Sequence, residues 1–130
     1  MKRPTPDQPA ELNRRMIAKS GGAFGVADRK LLESACAVPF AGLVGQEFYP
    51  TLFLKAAALA RSIVQNHRFV DGNKRTGVAA ALVFLRVNGY TVEATDADYV
   101  DLGERLAVRG IGVEEVASWL EAHSKPVGRL

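Results

Sequence analysis

The stretch His67-Arg68-Phe69-Val70-Asp71-Gly72-Asn73-Lys74-Arg75-Thr76 lies between two apolar helical runs. It holds more polar side chains than a connector of that length needs. Read as a loop entering a buried helix, it delivers backbone N–H groups and two cations to one point. The first-turn amides and the positive end of the helix dipole both favour phosphate there. Asn73 can donate a hydrogen bond to a phosphate oxygen. Lys74 and Arg75 can neutralise charge on a transferred or leaving phosphate. Asp71 is a hard oxygen ligand, suited to magnesium shared with phosphate oxygens. His67 titrates near neutrality and can accept a hydroxyl proton. Phe69 reads as a core anchor that pins the loop. Taken singly, each residue has a plainer reading. His67 could cap a helix end, Asp71 could be an N-cap, Gly72 could serve only a tight turn, and Lys74 and Arg75 could be solvated charges. The coincidence of all of them at one helix start favours the chemical reading.

The elements that must position this stretch follow from periodicity. A helix from Pro50 to Asn66 carries Leu52, Ala56, Leu59, Ala60 and Ile63 at helical spacing, with Pro50 at its first position. The next runs from Gly72 to Asn88 and stops at Gly89. It has no polar side chain from Gly77 to Leu85, so it reads as the central, buried helix. A helix over 10–20 buries Leu12, Met16 and Ile17. Another starts at Asp28 as N-cap, buries Leu31, Leu32 and Ala35, and ends before Pro39. Thr95 and Asp98 form a capping box for a fifth helix ending near Gly110. The sixth, over 113–122, turns Val113, Val116, Ala117 and Leu120 inward. Residues 38–48, with Gly42 and Gly45 among Phe40, Val44 and Phe48, suit an irregular flap or short hairpin. No segment alternates with period two, so the expected fold is all-α. Residues 1–9 and 124–130 read as tails around a domain over 10–123.

The chain has 130 residues, enough for one domain with a real core. Hydrophobic residues make up 48%, which excludes a disordered chain. The formal charge of +3 fits a polyanionic ligand or an acidic partner segment, and no basic stripe argues for nucleic acid. Cys36 is the single cysteine, which excludes an internal disulfide, and its alanine neighbours mark it as a buried small hydrophobe. No apolar run spans a bilayer, and the first residues lack an apolar signal core. The expected location is the cytoplasm.

The His67–Thr76 stretch resembles the signature of the Fic family, His-x-Phe-x-Asp/Glu-Gly-Asn-x-Arg with a second arginine further on. His67, Phe69, Asp71, Gly72, Asn73 and Arg75 carry the match. Asn73-Lys74-Arg75-Thr76 is similar to the death-on-curing (Doc) branch. Leu31-Leu32-Glu33-Ser34-Ala35, Tyr49-Pro50-Thr51-Leu52, Ala56-Ala57, Ala81-Leu82-Val83-Phe84-Leu85 and Asn88-Gly89-Tyr90 extend the likeness over about residues 10–123. The resemblance implies a compact helical fold that binds ATP with Mg2+. His67 would activate a protein hydroxyl, and Asp71 would hold the metal. Gly72, Asn73 and Arg75 would bind phosphate, and the flap at 38–48 would guide a target segment.

Lys74 stands where adenylyl-transferring members carry glycine, and Val78 stands where they carry the second arginine. Doc-like members with this lysine are expected to turn ATP around and present the γ-phosphate. The expected reaction is therefore phosphorylation of a Ser/Thr hydroxyl on a protein target, by family analogy in the translation machinery. AMP transfer is the alternative, and a binding module with a degenerate site is the third reading. Arg68 replaces a common proline, which touches loop rigidity rather than chemistry. No inhibitory Ser/Thr-x-x-x-Glu-Gly/Asn run occurs, since Glu121 follows Ser118 at the wrong spacing. Inhibition is then expected from a small antitoxin acting in trans. Trp119, His123, Glu114 and Glu115 read as structural. Tyr49 reads mainly as the extended residue before Pro50.

Overall fold

The computed structural model describes the chain apart from residues 23–24, 28, 67–71, 109–110 and 129–130. Among the described residues the helices are α1 (Asp7–Ser20), α2 (Arg29–Ala37), α3 (Leu52–Gln65), α4 (Asn73–Val87), α5 (Asp96–Ala107) and α6 (Val113–Ala122). Four short strands accompany them: β1 (Gly42–Leu43), β2 (Gln46–Glu47), β3 (Tyr90–Val92) and β4 (Ser124–Pro126). The fold is the expected all-α bundle.

Helix α3 starts where Thr51 accepts a 3.1 Å hydrogen bond from the Leu54 amide through Oγ1. Pro50 therefore lies ahead of the cap and not at the first helical position. Threonine supplies the acceptor that an orphan amide needs, and proline holds the chain extended before it. The residues from Lys55 to Ala60, with Ser62, Ile63 and Val64, are buried. The central place is thus shared between α3 and α4, which pack on each other, while α6 lies on α3 and α1 and α5 lie on α4. On α4, Ala79, Leu82 and Val83 are only partly buried although the run is wholly apolar. Ala79 and Leu82 line a cavity, which explains an apolar side with no protein against it.

Gly77 sets the distance between α3 and α4. A Cβ there would stand 2.4 Å from Val64 Cγ2 and 3.0 Å from the Ala60 carbonyl oxygen. Only glycine lets these backbones meet. Further on, α4 ends at Val87 ahead of Asn88 and Gly89, as its sequence requires.

Helix α5 opens with the capping box that Thr95 and Asp98 announce, both bonds being formed at 3.0 and 3.1 Å. It stops at Ala107, short of the expected end near Gly110, because Val108 is already extended at φ −70° and ψ 127°. Gly110 lies outside the described residues, as does Asp28, the expected cap of α2. Val113, Val116, Ala117 and Leu120 of α6 are buried as expected. Residues 38–48 form one 3₁₀ turn (Val38–Phe40) and the β1–β2 hairpin, with Gly42 opposite Glu47 and Leu43 opposite Gln46.

The chain ends are more engaged than their composition suggests. Helix α1 takes in Asp7–Pro9, and Lys2 exchanges hydrogen bonds with the Asn88 side chain at 2.7 and 3.0 Å. Arg3 lies over the Phe40 ring at 4.1 Å. Ser124–Pro126 pair antiparallel with Tyr90–Val92.

Replacing Gly77 by alanine should force α3 and α4 apart and lower stability by about 1–3 kcal/mol in urea unfolding, as overpacking of a tight contact does. Asp98 gives a pH-dependent signature. The Thr95 amide first, then its hydroxyl contact, hold the Asp98 carboxyl below its usual range. A folded value below the unfolded one adds stability above the ordinary carboxylate range and loses it as pH falls through the folded value. Asp98→Asn should therefore cost stability at neutral pH and flatten the acid limb of a stability–pH curve.

Candidate nucleotide-binding site

The site is built at the start of α4. Gly72 occupies the cap position with φ 76° and ψ 21°, a left-handed conformation that strains any residue with a Cβ. No side-chain cap bond is made at Gly72, and Asp71, which the plain reading made the N-cap, lies outside the described residues. The Thr76 amide donates to the Gly72 carbonyl at 3.0 Å and closes the first turn. In general the first amides of a helix lie beyond the reach of its own i−4 carbonyls. Asn73, Lys74 and Arg75 follow directly on Gly72, with Lys74 and Arg75 exposed. These four predicted phosphate-binding residues are brought together. His67, Arg68, Phe69 and Asp71 lie outside the described residues.

A cavity of about 920 Å³ opens beside this turn. Gly72, Asn73, Lys74, Arg75 and Val78 of α4 line it together with Met16 and Ile17 of α1. From α5 come Asp96, Tyr99, Val100, Gly103, Glu104 and Ala107. The α4 side brings two cations and a side-chain amide, α5 adds the Asp96 and Glu104 carboxylates and the Tyr99 phenol, and the remainder of the wall is apolar. That division suits a ligand with a charged chain and a flat organic part. Val78 is buried at the cavity wall and offers no charge to a phosphate. Lys74 Nζ lies 2.8 Å from Glu104 Oε1, an exposed ion pair linking α4 to α5. Burial first, then the nearby Asp96 and Asp98 carboxylates, raise the Tyr99 phenol above its usual value, so it stays a neutral hydrogen-bonding group. Among the described residues no group of three or more His, Cys, Asp or Glu side chains is placed to hold a metal ion. Burial pushes the Cys36 thiol up to about 11, which fits an inert core residue.

The sequence did not point to two arrangements. Asn13 and Thr76 are both fully buried, and Asn13 Nδ2 donates to Thr76 Oγ1 at 3.1 Å. A signal did exist, since Asn13 shares the apolar face of α1 with Met16 and Ile17 at helical spacing. The second arrangement is Lys55, with 2% exposure. Its ammonium donates to Glu47 Oε1 at 2.7 Å and to the Tyr49 carbonyl, and lies 5.3 Å from the Phe40 ring centre. A buried charge is costly unless so paired, and this pairing ties β2 of the flap to α3. The hairpin turn is left outside, with Val44 94% exposed.

The bundle, with a glycine-capped turn carrying Lys74 and Arg75 beside its cavity, defines a small helical protein with a candidate phosphate site. The chain belongs to the Fic/DOC family, whose model matches residues 4–85. Within it the chain falls in the Doc-toxin branch. It is 44% identical over 102 residues to "Toxin Doc" of Mycolicibacterium smegmatis, covering 77% of this chain and 78% of that one. It is 31% identical over 121 residues to "Protein kinase doc" of Escherichia phage P1, covering 92% and 94%. Enzymes of this family generally use a nucleotide.

Gly72→Ala should lower stability by about 1–2 kcal/mol through the left-handed backbone alone. The added Cβ would also stand 3.2 Å from Asn13 Nδ2 and 3.3 Å from Ile17 Cδ1. Anion affinity should fall with it. Thermal unfolding and phosphate titration of the same variant read the two effects separately.

Proposed function

We propose that this chain is a Doc-type toxin that transfers the γ-phosphate of ATP to a Ser/Thr hydroxyl of a protein target. The observation that carries the reading is the pair of replacements at the cavity. Lys74 adds a cation at the phosphate end, and the buried Val78 leaves the wall deeper along α4 without one. A nucleotide whose terminal phosphates sit at the first turn is favoured over one anchored further in. The relative named as a protein kinase supports the same chemistry, and the relative named as a toxin supports the biological role. By analogy, the target belongs to the translation machinery.

In this reading His67 accepts the proton of the target hydroxyl. The hydroxyl oxygen bonds to the γ-phosphorus as the bond to the β-phosphate bridging oxygen breaks. ADP leaves with the charge that Lys74, Arg75 and the first-turn amides stabilise. Gly72 and Asn73 bring backbone close to the phosphate chain. Asp71, with phosphate oxygens, would hold Mg2+, which supplies charge neutralisation. The cavity and the two cations on its α4 side fit such a ligand. Phe69 anchors the loop, and the β1–β2 flap runs the target segment alongside. A small antitoxin acts in trans. Among the described residues no helix is long and apolar enough to cross a membrane, and the reaction is assigned to the cytoplasm.

The test supplies a candidate target with ATP labelled at the α- or the γ-position. Label from the γ-position, lost in His67→Ala, is the expected result. Label from the α-position replaces the kinase reading with AMP transfer. No transfer of either label leaves a binding module.

A further inference from the structure

The function proposed above uses Gly72 to Arg75 but gives Thr76 and Asn13 nothing to do. Both are polar and neither is exposed to solvent at all. Burial of uncharged polar side chains costs stability unless they are hydrogen-bonded. An apolar pair of the same shape would pack there without that constraint. Their geometry connects them to the phosphate turn in three ways. The Thr76 amide donates to the Gly72 carbonyl at 3.0 Å. The Thr76 hydroxyl oxygen accepts from Asn13 Nδ2 at 3.1 Å. A Cβ on Gly72 would come within 3.2 Å of the same Nδ2. Gly72, Thr76 and Asn13 thus form a closed triangle, with α1 supplying the third corner.

We propose that Asn13 and Thr76 are positioning residues for the phosphate-binding turn. They lock the left-handed Gly72 and the first turn of α4 in the orientation that aims the amides of Asn73 to Arg75 at a phosphate. Neither touches the nucleotide. They act through the turn, and α1 is therefore part of the binding site's framework and not only of its wall. The inference rests on the reading of this turn as a phosphate site. The lock itself can be measured without any nucleotide.

Two measurements decide it. The first is amide hydrogen exchange on Asn13→Leu. Exchange at the Thr76 amide should rise about ten-fold while amides in the middle of α3 stay unchanged, as a local loosening requires. The second is the Kd for ATP with Mg2+, by calorimetry, on Thr76→Val and Thr76→Ser. Valine keeps the shape and removes the hydroxyl, and should weaken binding about ten-fold to a hundred-fold, the scale on which a small misplacement acts. Serine keeps the hydroxyl and should stay within about three-fold of the parent chain. The double variant Asn13→Leu/Thr76→Val should be no weaker than the worse single one, since both break one link. If Thr76→Val binds as tightly as the parent, or serine fails to restore binding, the pair serves packing alone and the inference is overturned. If the parent chain binds no ATP, the functional reading falls, and the exchange result still decides whether the lock exists.

Discussion

Gly77 lets the backbones of α3 and α4 meet, and the position of the site follows from that contact. With α4 pressed on α3 over Ala60 and Val64, its first turn cannot slide along the bundle. Helix α1 then fits against the other side of α4, and α5 crosses near Lys74, where a Cβ added at Gly103 would meet Lys74 Cβ at 3.4 Å. The cavity is the space these elements leave beside the helix start. Its lining joins Lys74 and Arg75 of that helix start to Asp96 and Glu104 of α5 and to apolar side chains such as Met16, Val78 and Leu82.

Much of this was legible in the sequence because it is local. The stop of α4 at Asn88-Gly89, the Thr95–Asp98 box and the inward face of α6 each need only a few consecutive residues. So does the glycine that starts α4 ahead of Asn73, Lys74 and Arg75. Non-local features were not legible. Asn13 pairs with Thr76 across 63 positions, and Lys74 pairs with Glu104 across 30. Strands of three residues, such as Tyr90–Val92 and Ser124–Pro126, are too short to show alternation. Lys55 falls on a helix whose neighbours are nearly all apolar, and only the fold shows that Glu47 comes back to meet it.

The Lys55 arrangement shows how a two-stranded hairpin is held without a core of its own. An isolated hairpin this short is not stable in water. Here one ammonium group collects a carboxylate, a carbonyl and an aromatic face from three points around the flap. The Phe40 ring is also edge-on to Phe84 of α4. The base of the flap is thereby fixed to the bundle, and its tip, with Val44 at φ 51°, projects clear of it.

The ion pair between Lys74 and Glu104 has its own consequence. The lysine already holds a counter-ion, supplied by its own polypeptide on α5. Both side chains are more than half exposed, so water and salt screen the pair and it adds little to stability. Any anion proposed for the start of α4 would have to compete with that tethered carboxylate.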